Sequence, residues 1–413
     1  MRQLKIFIIL LVTTYPLLAG GGSLYTRFGL GDLNSPFSAR RFGMGELGIA
    51  LSDKDYLSFL NPAGLNEMRL TRFETGLLYS GSNAKNTSSS VYHTRINLEG
   101  LMTGFPIDHE LGISLALGIV PFSDVGYDVV QSQTDPLVGK HTTQYSGEGG
   151  ISKLVLGGSY RLPFNFSLGV TYEYYFGRIQ NTSSVTFVDS STLRSASFIR
   201  ETSYHGIGTT VGLITSNLSK IIGRSVLKDL KIGIIYSPAV TLSTDSVDNS
   251  TTAIGTLTTS TGSIKTKIPY KLGIGASFNL INKYTFILDY LYQPFTQFTS
   301  NNLRSANMQD YYKMAFGFEF RDSENRSDTF WGHVMWRVGV SYEQSQYKIN
   351  GYGINQYSVY AGVALPIAYD NTIDLGFQYG RRGTTDNNLL QENIFKFSVS
   401  LSLGEIWFLR SDR

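Results

Sequence analysis

Five histidines are the first residues to weigh for chemistry: His93, His109, His141, His205 and His333. Imidazole can ligate a metal or carry a proton near neutral pH. A zinc-type site needs its ligands grouped at short spacing, and no two of these stand at i,i+2 or i,i+4. His141 and His205 fall in or beside Ser/Thr-rich stretches and read as solvated surface. A hydrolytic triad needs Ser, His and an orienting polar group on neighbouring strands. His93 with nearby serines could supply one, but serine is too abundant here for that to carry weight. Gly147 to Gly150 lack the Lys-Ser/Thr of a phosphate loop. Arg381-Arg382 reads as a strand-end charge pair facing lipopolysaccharide or water. No catalytic, cofactor-binding or metal-binding set emerges, so the chain reads as a non-enzyme without a cofactor.

The residues with distinctive spacing lie elsewhere, in 20–67. This stretch holds Gly43-Met44-Gly45 and then Asn61-Pro62-Ala63-Gly64-Leu65. Asn first, Pro second and Gly fourth fit a type I turn, with Pro62 holding its own φ and pushing Asn61 toward an extended conformation. The stretch reads as a compact, Gly-hinged unit ending in a tight turn.

The rest of the chain must position that unit, and it has a different rhythm. Phe395, Phe397, Val399, Leu401 and Leu403 alternate with Lys396, Ser398, Ser400 and Ser402. Tyr312, Met314, Phe316, Phe318 and Phe320 alternate with Lys313, Ala315, Gly317, Glu319 and Arg321. Ile373, Leu375, Phe377 and Tyr379, and Phe166, Leu168, Val170, Tyr172 and Tyr174, do the same. Period two is a strand signature. Candidate strands fall near 68–80, 90–104, 110–121, 148–161, 165–178, 203–215, 230–241, 265–280, 283–297, 310–321, 334–346, 356–369, 371–381 and 391–403. The Ser/Thr/Asn-rich connections 122–147, 179–202 and 242–264 read as long loops, alternating with short turns such as 105–109 and 162–164.

Segments of roughly 9–11 residues suit tilted membrane strands. Gly, Ser and Ala recur on the polar face, which suits a crowded lumen. Together these predict an all-β fold: a transmembrane antiparallel β-barrel of about 14 strands, its apolar face toward lipid. Tyr and Phe are abundant and only 16% of residues are charged. Tyr290, Tyr292, Trp331 and Trp336 fit membrane interfaces.

Arg2, Lys5, the apolar run Ile6 to Val12 and the small residues Ala19 to Gly21 predict a signal peptide over 1–19. Its removal would lower the formal charge of +3 by two, leaving no basic face for nucleic acid. The domain reading is therefore 1–19 signal peptide, 20–67 hatch or plug, 68–404 barrel and 405–413 periplasmic tail.

The run Ser38-Ala39-Arg40-Arg41-Phe42-Gly43-Met44-Gly45-Glu46-Leu47-Gly48-Ile49-Ala50, then Asp53, then Asn61 to Leu65, resembles the N-terminal hatch of the FadL/TodX outer-membrane transport proteins. It is also similar to PorV-like barrels of Bacteroidota. Tyr145 to Ile151, Tyr174-Tyr175-Phe176-Gly177 and Gly404 to Phe408 look like the Bacteroidota branch. The resemblance implies a barrel of 14 strands in the bacterial outer membrane, with the hatch folded inside the lumen. It implies passive uptake of small hydrophobic molecules, long-chain fatty acid or hydrocarbon in class, past the hatch. The alternative it implies is an accessory or scaffold barrel in an outer-membrane secretion or assembly complex, with another outer-membrane protein as partner. Membrane lipid and lipopolysaccharide surround either one. Phe42, Leu47 and Leu65 become candidate ligand contacts, with Met44 beside them. Three departures stand out. Glu46 and Leu47 replace small residues of the glycine tract. The loops expected to capture ligand are rich in Ser and Thr. The chain ends in Arg413 rather than an aromatic residue.

Overall fold

The computed structural model describes residues 22–35, 37–87, 89–136, 139–187, 194–219, 227–281, 283–323, 329–368 and 370–405. The expected leader over 1–19 lies outside them, as does the tail beyond Glu405 with Ile406, Trp407 and Phe408.

Fourteen antiparallel strands form the wall. They are β1 (Thr71–Lys85), β2 (Ser90–Asp108), β3 (Ile113–Asp135), β4 (Gly139–Arg161), β5 (Ser167–Phe187) and β6 (Ala196–Ile214). β7 runs through Leu227–Ser237 and Val240–Thr252, and β8 through Gly255–Ile268 and Lys271–Leu280. β9 (Tyr284–Gln293), β10 (Tyr311–Arg321), β11 (Met335–Ile349), β12 (Tyr352–Ala368), β13 (Asn371–Gly383) and β14 (Gln391–Glu405) follow. Pro238 and Pro269 interrupt β7 and β8, because each lacks a ladder donor. β14 closes on β1 in unbroken register from Gln391↔Lys85 to Glu405↔Thr71.

The alternation decides which face meets which solvent. Met314 and Phe316 on β10 are 49% and 44% exposed, while Lys313 and Glu319, on the alternate positions of the same strand, are 1% and 3% exposed. Charges inside and Phe outside reverse the order of a water-soluble sandwich. Acyl chains as the outer solvent make that order favourable. Among the described residues no helix is long and apolar enough to cross a membrane.

The long connections expected over 122–147, 179–202 and 242–264 are largely strand. β3 continues to Asp135, β4 starts at Gly139, β5 reaches Phe187, and β7 and β8 meet at a turn after Thr252. Beyond the lipid both faces are wet, so the apolar–polar contrast that signals a strand disappears. Thr still favours extended backbone. One side of the barrel, β3 to β8, therefore stands taller than the other.

Residues 22–35 and 37–67 pack inside the wall. Met44, Leu47, Ile49 and Ala63 have no exposure. Lumen-facing glycines make the room. A Cβ on Gly317 would lie 2.5 Å from the Met44 carbonyl oxygen, and one on Gly339 would lie 2.6 Å from the Gly45 nitrogen. Gly169 and Gly212 stand in the same way against Pro62 and Asn61, and Gly233 against Ile49.

Candidate functional site

The inner segment is fastened to the wall by buried charges. Arg40, on the short helix Ala39–Phe42, pairs with Asp53 of its own segment and donates from Nε to Glu319 of β10 at 2.9 Å. Glu319 also accepts from Arg337 of β11 at 2.8 Å, and Arg337 pairs onward with Asp374 of β13. Tyr56 completes the group, donating to Asp374 at 3.1 Å and accepting from Arg337 at 3.0 Å. Burial raises the Asp53 carboxyl, but Arg40 outweighs it and the net shift is downward. Burial and the Asp374 charge push the Tyr56 phenol up.

Two further ties hold other parts of the segment. Glu46 pairs with Lys313 of β10, and Lys396 of β14 lies 3.7 Å away. Burial would raise the Glu46 carboxyl, yet the two lysines hold it at about 2. Glu46 also has φ +71°, between Gly45 at +93° and Gly48 at +117°. The place of this acid in a glycine tract is explained by that contact: the ion pair offsets a left-handed backbone that costs about 1–2 kcal/mol. Near the tall end, Arg382 of β13 donates to Asp32 at 2.8 Å, Tyr347 donates to the same carboxylate at 3.0 Å, and Ser23 donates to Glu392 at 2.7 Å.

The wall itself has a break. β2 and β3 pair only from Leu101↔Ile119 down to Asp108↔Ile113. Beyond Gly100, β2 keeps β1 alone as its neighbour, and beyond Ile119, β3 keeps β4. The freed edge of β3 is taken by the inner segment. Asp32 and Leu33 pair with Asp124 and Ser123, Asn34 donates to the Phe122 carbonyl at 2.9 Å, and Thr26 exchanges hydrogen bonds with Gly126. Arg95 reaches from β2 across the break to Asp124 and to the Val125 carbonyl at 3.2 Å. Ile96 and Leu98, on the unpaired stretch of β2, are 57% and 55% exposed. They stand opposite Tyr79 and Leu77 of β1, so the break lies at the depth of the apolar belt.

Behind the break is a chamber of about 650 Å³. Arg95, Asn97, Glu99 and Asp124 line it on the side of the break; Asp32 and Phe42 come from the inner segment; Lys313 of β10, Arg382 of β13 and Lys396 of β14 complete the lining. Such a lining offers hydrogen bonds and charge to a polar group, with an aromatic ring at one side.

The residues singled out from sequence divide between packing and chamber. Phe42 faces the chamber and packs edge-on against Tyr360, with ring centres 6.1 Å apart. Leu47 and Leu65 sit in apolar packing between segment and wall, away from the chamber lining. Gly43, Met44 and Gly45 lie against the wall glycines and Arg337. Gly64 closes the expected turn, donating to the Asn61 carbonyl at 3.0 Å, and the turn continues as a 3-10 helix over Pro62–Glu67. Asn61 caps it by accepting from the Ala63 nitrogen at 3.0 Å and donates to the Ile49 carbonyl at 2.7 Å. His93 lines the chamber opposite Ser82. Among the described residues no three His, Asp or Glu side chains are grouped to hold a metal. Sequence reading missed the roles of Glu319, Arg337 and Asp374. The signal was there: a charge on the polar face of a lipid-facing strand must point inward and find a partner.

The toluene transporter TbuX of Ralstonia pickettii is similar in structure, with 13% identity over 90% of this chain and 98% of that one, and a TM-score of 0.60. The toluene transporter TodX of Pseudomonas putida shares 15% identity over 91% and 99%, with a TM-score of 0.58. A FadL homologue of Pseudomonas aeruginosa shares 11% over 90% and 98%, at 0.56. At such identities the likeness is one of fold, and it agrees with the FadL/TodX resemblance of the inner segment. No curated sequence relative matches the chain. Residues 1–412 match the family model described as BamG, and the chain belongs to that family.

Proposed function

We propose that this protein is a bacterial outer-membrane barrel that lets a small hydrophobic or amphiphilic molecule pass without energy input. The observation that carries the reading is the break between β2 and β3, at belt depth and backed by the chamber. A ligand with a polar head would leave its head among Arg95, Asn97, Lys313 and Lys396 while its tail lies toward Phe42 and the acyl chains outside. The inner segment acts as the hatch. Its movable part is Asp32 to Asn34, which leaves β3 when the short pairing there and the Asp32 contacts with Arg382 and Tyr347 break, whereas the Arg40 and Glu46 ties stay closed. Supporting this reading, proteins with the same fold include the toluene transporters TbuX and TodX. Export through a signal peptide over 1–19 and a periplasmic tail over 405–413 belong to the same proposal. Uptake of a labelled fatty acid or of toluene into vesicles holding the purified protein tests it. Mass spectrometry of lipid co-purified in detergent is the second readout. Uptake no faster than in empty vesicles, with no bound lipid, overturns it.

A second reading, an accessory barrel in an outer-membrane secretion or assembly complex, is favoured by a specific observation. Three groups of buried ion pairs fix the inner segment, which suits a plug that never opens. Purification with a stoichiometric protein partner and no lipid ligand would support it.

A further inference from the structure

The tall side of the barrel ends in an unfinished sheet. In the outer half of β8, Gly255 to Thr261 pair residue for residue with Thr252 to Ser246 of β7. Among the described residues, the first partner on the other side comes only at Thr266, opposite Ser300, with Asn301 donating to the Lys265 carbonyl at 2.9 Å. Gly255 to Thr261 are exposed throughout, and the sequence Gly-Thr-Leu-Thr-Thr-Ser-Thr holds no charge and no proline. The turn Ala253-Ile254 makes Thr252 and Gly255 the closing pair. Since bonded and non-bonded pairs alternate along an antiparallel ladder, the N–H and C=O groups of Thr256, Thr258 and Ser260 face the open side. Natural edges are blunted with charges, proline or a covering element. The opposite free edge of this same tall sheet, on β3, has such protection: Asp128 and Asp135 lie along it and the inner segment covers its base. The β8 edge has none over these residues.

We propose that this edge receives an extended segment of another polypeptide, which adds a strand to β8. A row of unpaired amide groups along an extended chain is matched by another extended chain and by little else. Charge gives the segment a direction. Lys265 and Lys267 are exposed at the foot of the edge, and Arg304 is exposed on the strand paired beside them. The incoming strand therefore carries acidic residues at its membrane-proximal end. Both faces of the β8 edge are polar, so its side chains set register weakly and backbone bonds supply most of the affinity. This inference does not depend on any route through the chamber.

The test uses the full chain in lipid nanodiscs and a synthetic peptide, Glu-Glu followed by alternating Thr and Val, with its alternately N-methylated form as comparison. Saturable binding of the first and not the second is expected. Thr258→Pro removes an outward N–H and puts a ring in the slot, so it weakens binding by about tenfold or more, whereas Thr258→Val retains it. Retained heat-modifiable mobility on gels shows that each variant is a folded barrel. Equal binding of both peptides, no binding, or binding untouched by Thr258→Pro overturns the proposal. It is also overturned if the wild type fails to bind peptide but forms a dimer that Thr258→Pro dissociates, because the edge then pairs with a second copy.

Discussion

Arg40 of the inner segment donates to Glu319 of β10 at 2.9 Å, and Glu319 is shared with Arg337 of the wall. One carboxylate thus joins the inner segment and the wall. Removing one member of a buried charge group leaves the others uncompensated, at about 3–5 kcal/mol. Arg337→Met should therefore lower the temperature at which heat-modifiable mobility is lost by much more than Lys283→Met, at the exposed pair with Asp322. Equal shifts would show that the buried group contributes no more than a surface pair.

The Glu46 tie should make the inner segment sensitive to acid. Its carboxyl titrates at about 2 instead of 4.5. A depressed folded value adds stability that is complete above about 4.5 and is lost as pH falls through about 2; the shift corresponds to about 3 kcal/mol. Asp53, also lowered, acts in the same direction. Protease protection of the inner segment should be flat down to about pH 4.5 and fall below it. In Glu46→Gln the fall from this tie should be absent.

Wall glycines should be as important to the plug as its own residues. Gly339→Val would drive a side chain into Met44 and Gly45, where even a Cβ lies 2.6 Å from backbone. The barrel closes through other strands, so the expected outcome is a folded, heat-modifiable barrel with a protease-sensitive inner segment and raised ion conductance in planar bilayers. Removing 20–67 should raise conductance further.

Asn61 ties the turn to Ile49 and caps Pro62–Glu67. Asn61→Ala should cost about 1–2 kcal/mol, measured as a lower urea midpoint for protease protection of the inner segment. Gly212 is packed against this side chain, at 1.9 Å from an added Cβ to Oδ1, so Gly212→Ala should disturb the same turn.

Much of this was legible in the residues. The alternation of Met314 and Phe316 with Lys313, Ala315 and Glu319 gave both strand and facing, because lipid and lumen impose opposite polarity on neighbouring positions. The Asn-Pro-Ala-Gly turn was legible because Pro62 and Asn61 have few other conformations. The extended tops of β3 to β8 were not, since water on both sides erases the contrast. Nor was the break beyond Gly100 and Ile119: partner loss between adjacent strands leaves no period in either one. Glu46 looked like a departure within a glycine tract, and only its placement beside Lys313 explains it.

The proposed passage runs sideways through the break between β2 and β3. The chain has no cysteine of its own, so Arg95→Cys with Asp124→Cys can be spanned by a bismaleimide across the break. Uptake of labelled fatty acid into vesicles should continue in the unbridged double variant, slowed by loss of the Arg95 contact, and stop once it is bridged. Unchanged uptake after complete bridging would contradict the account.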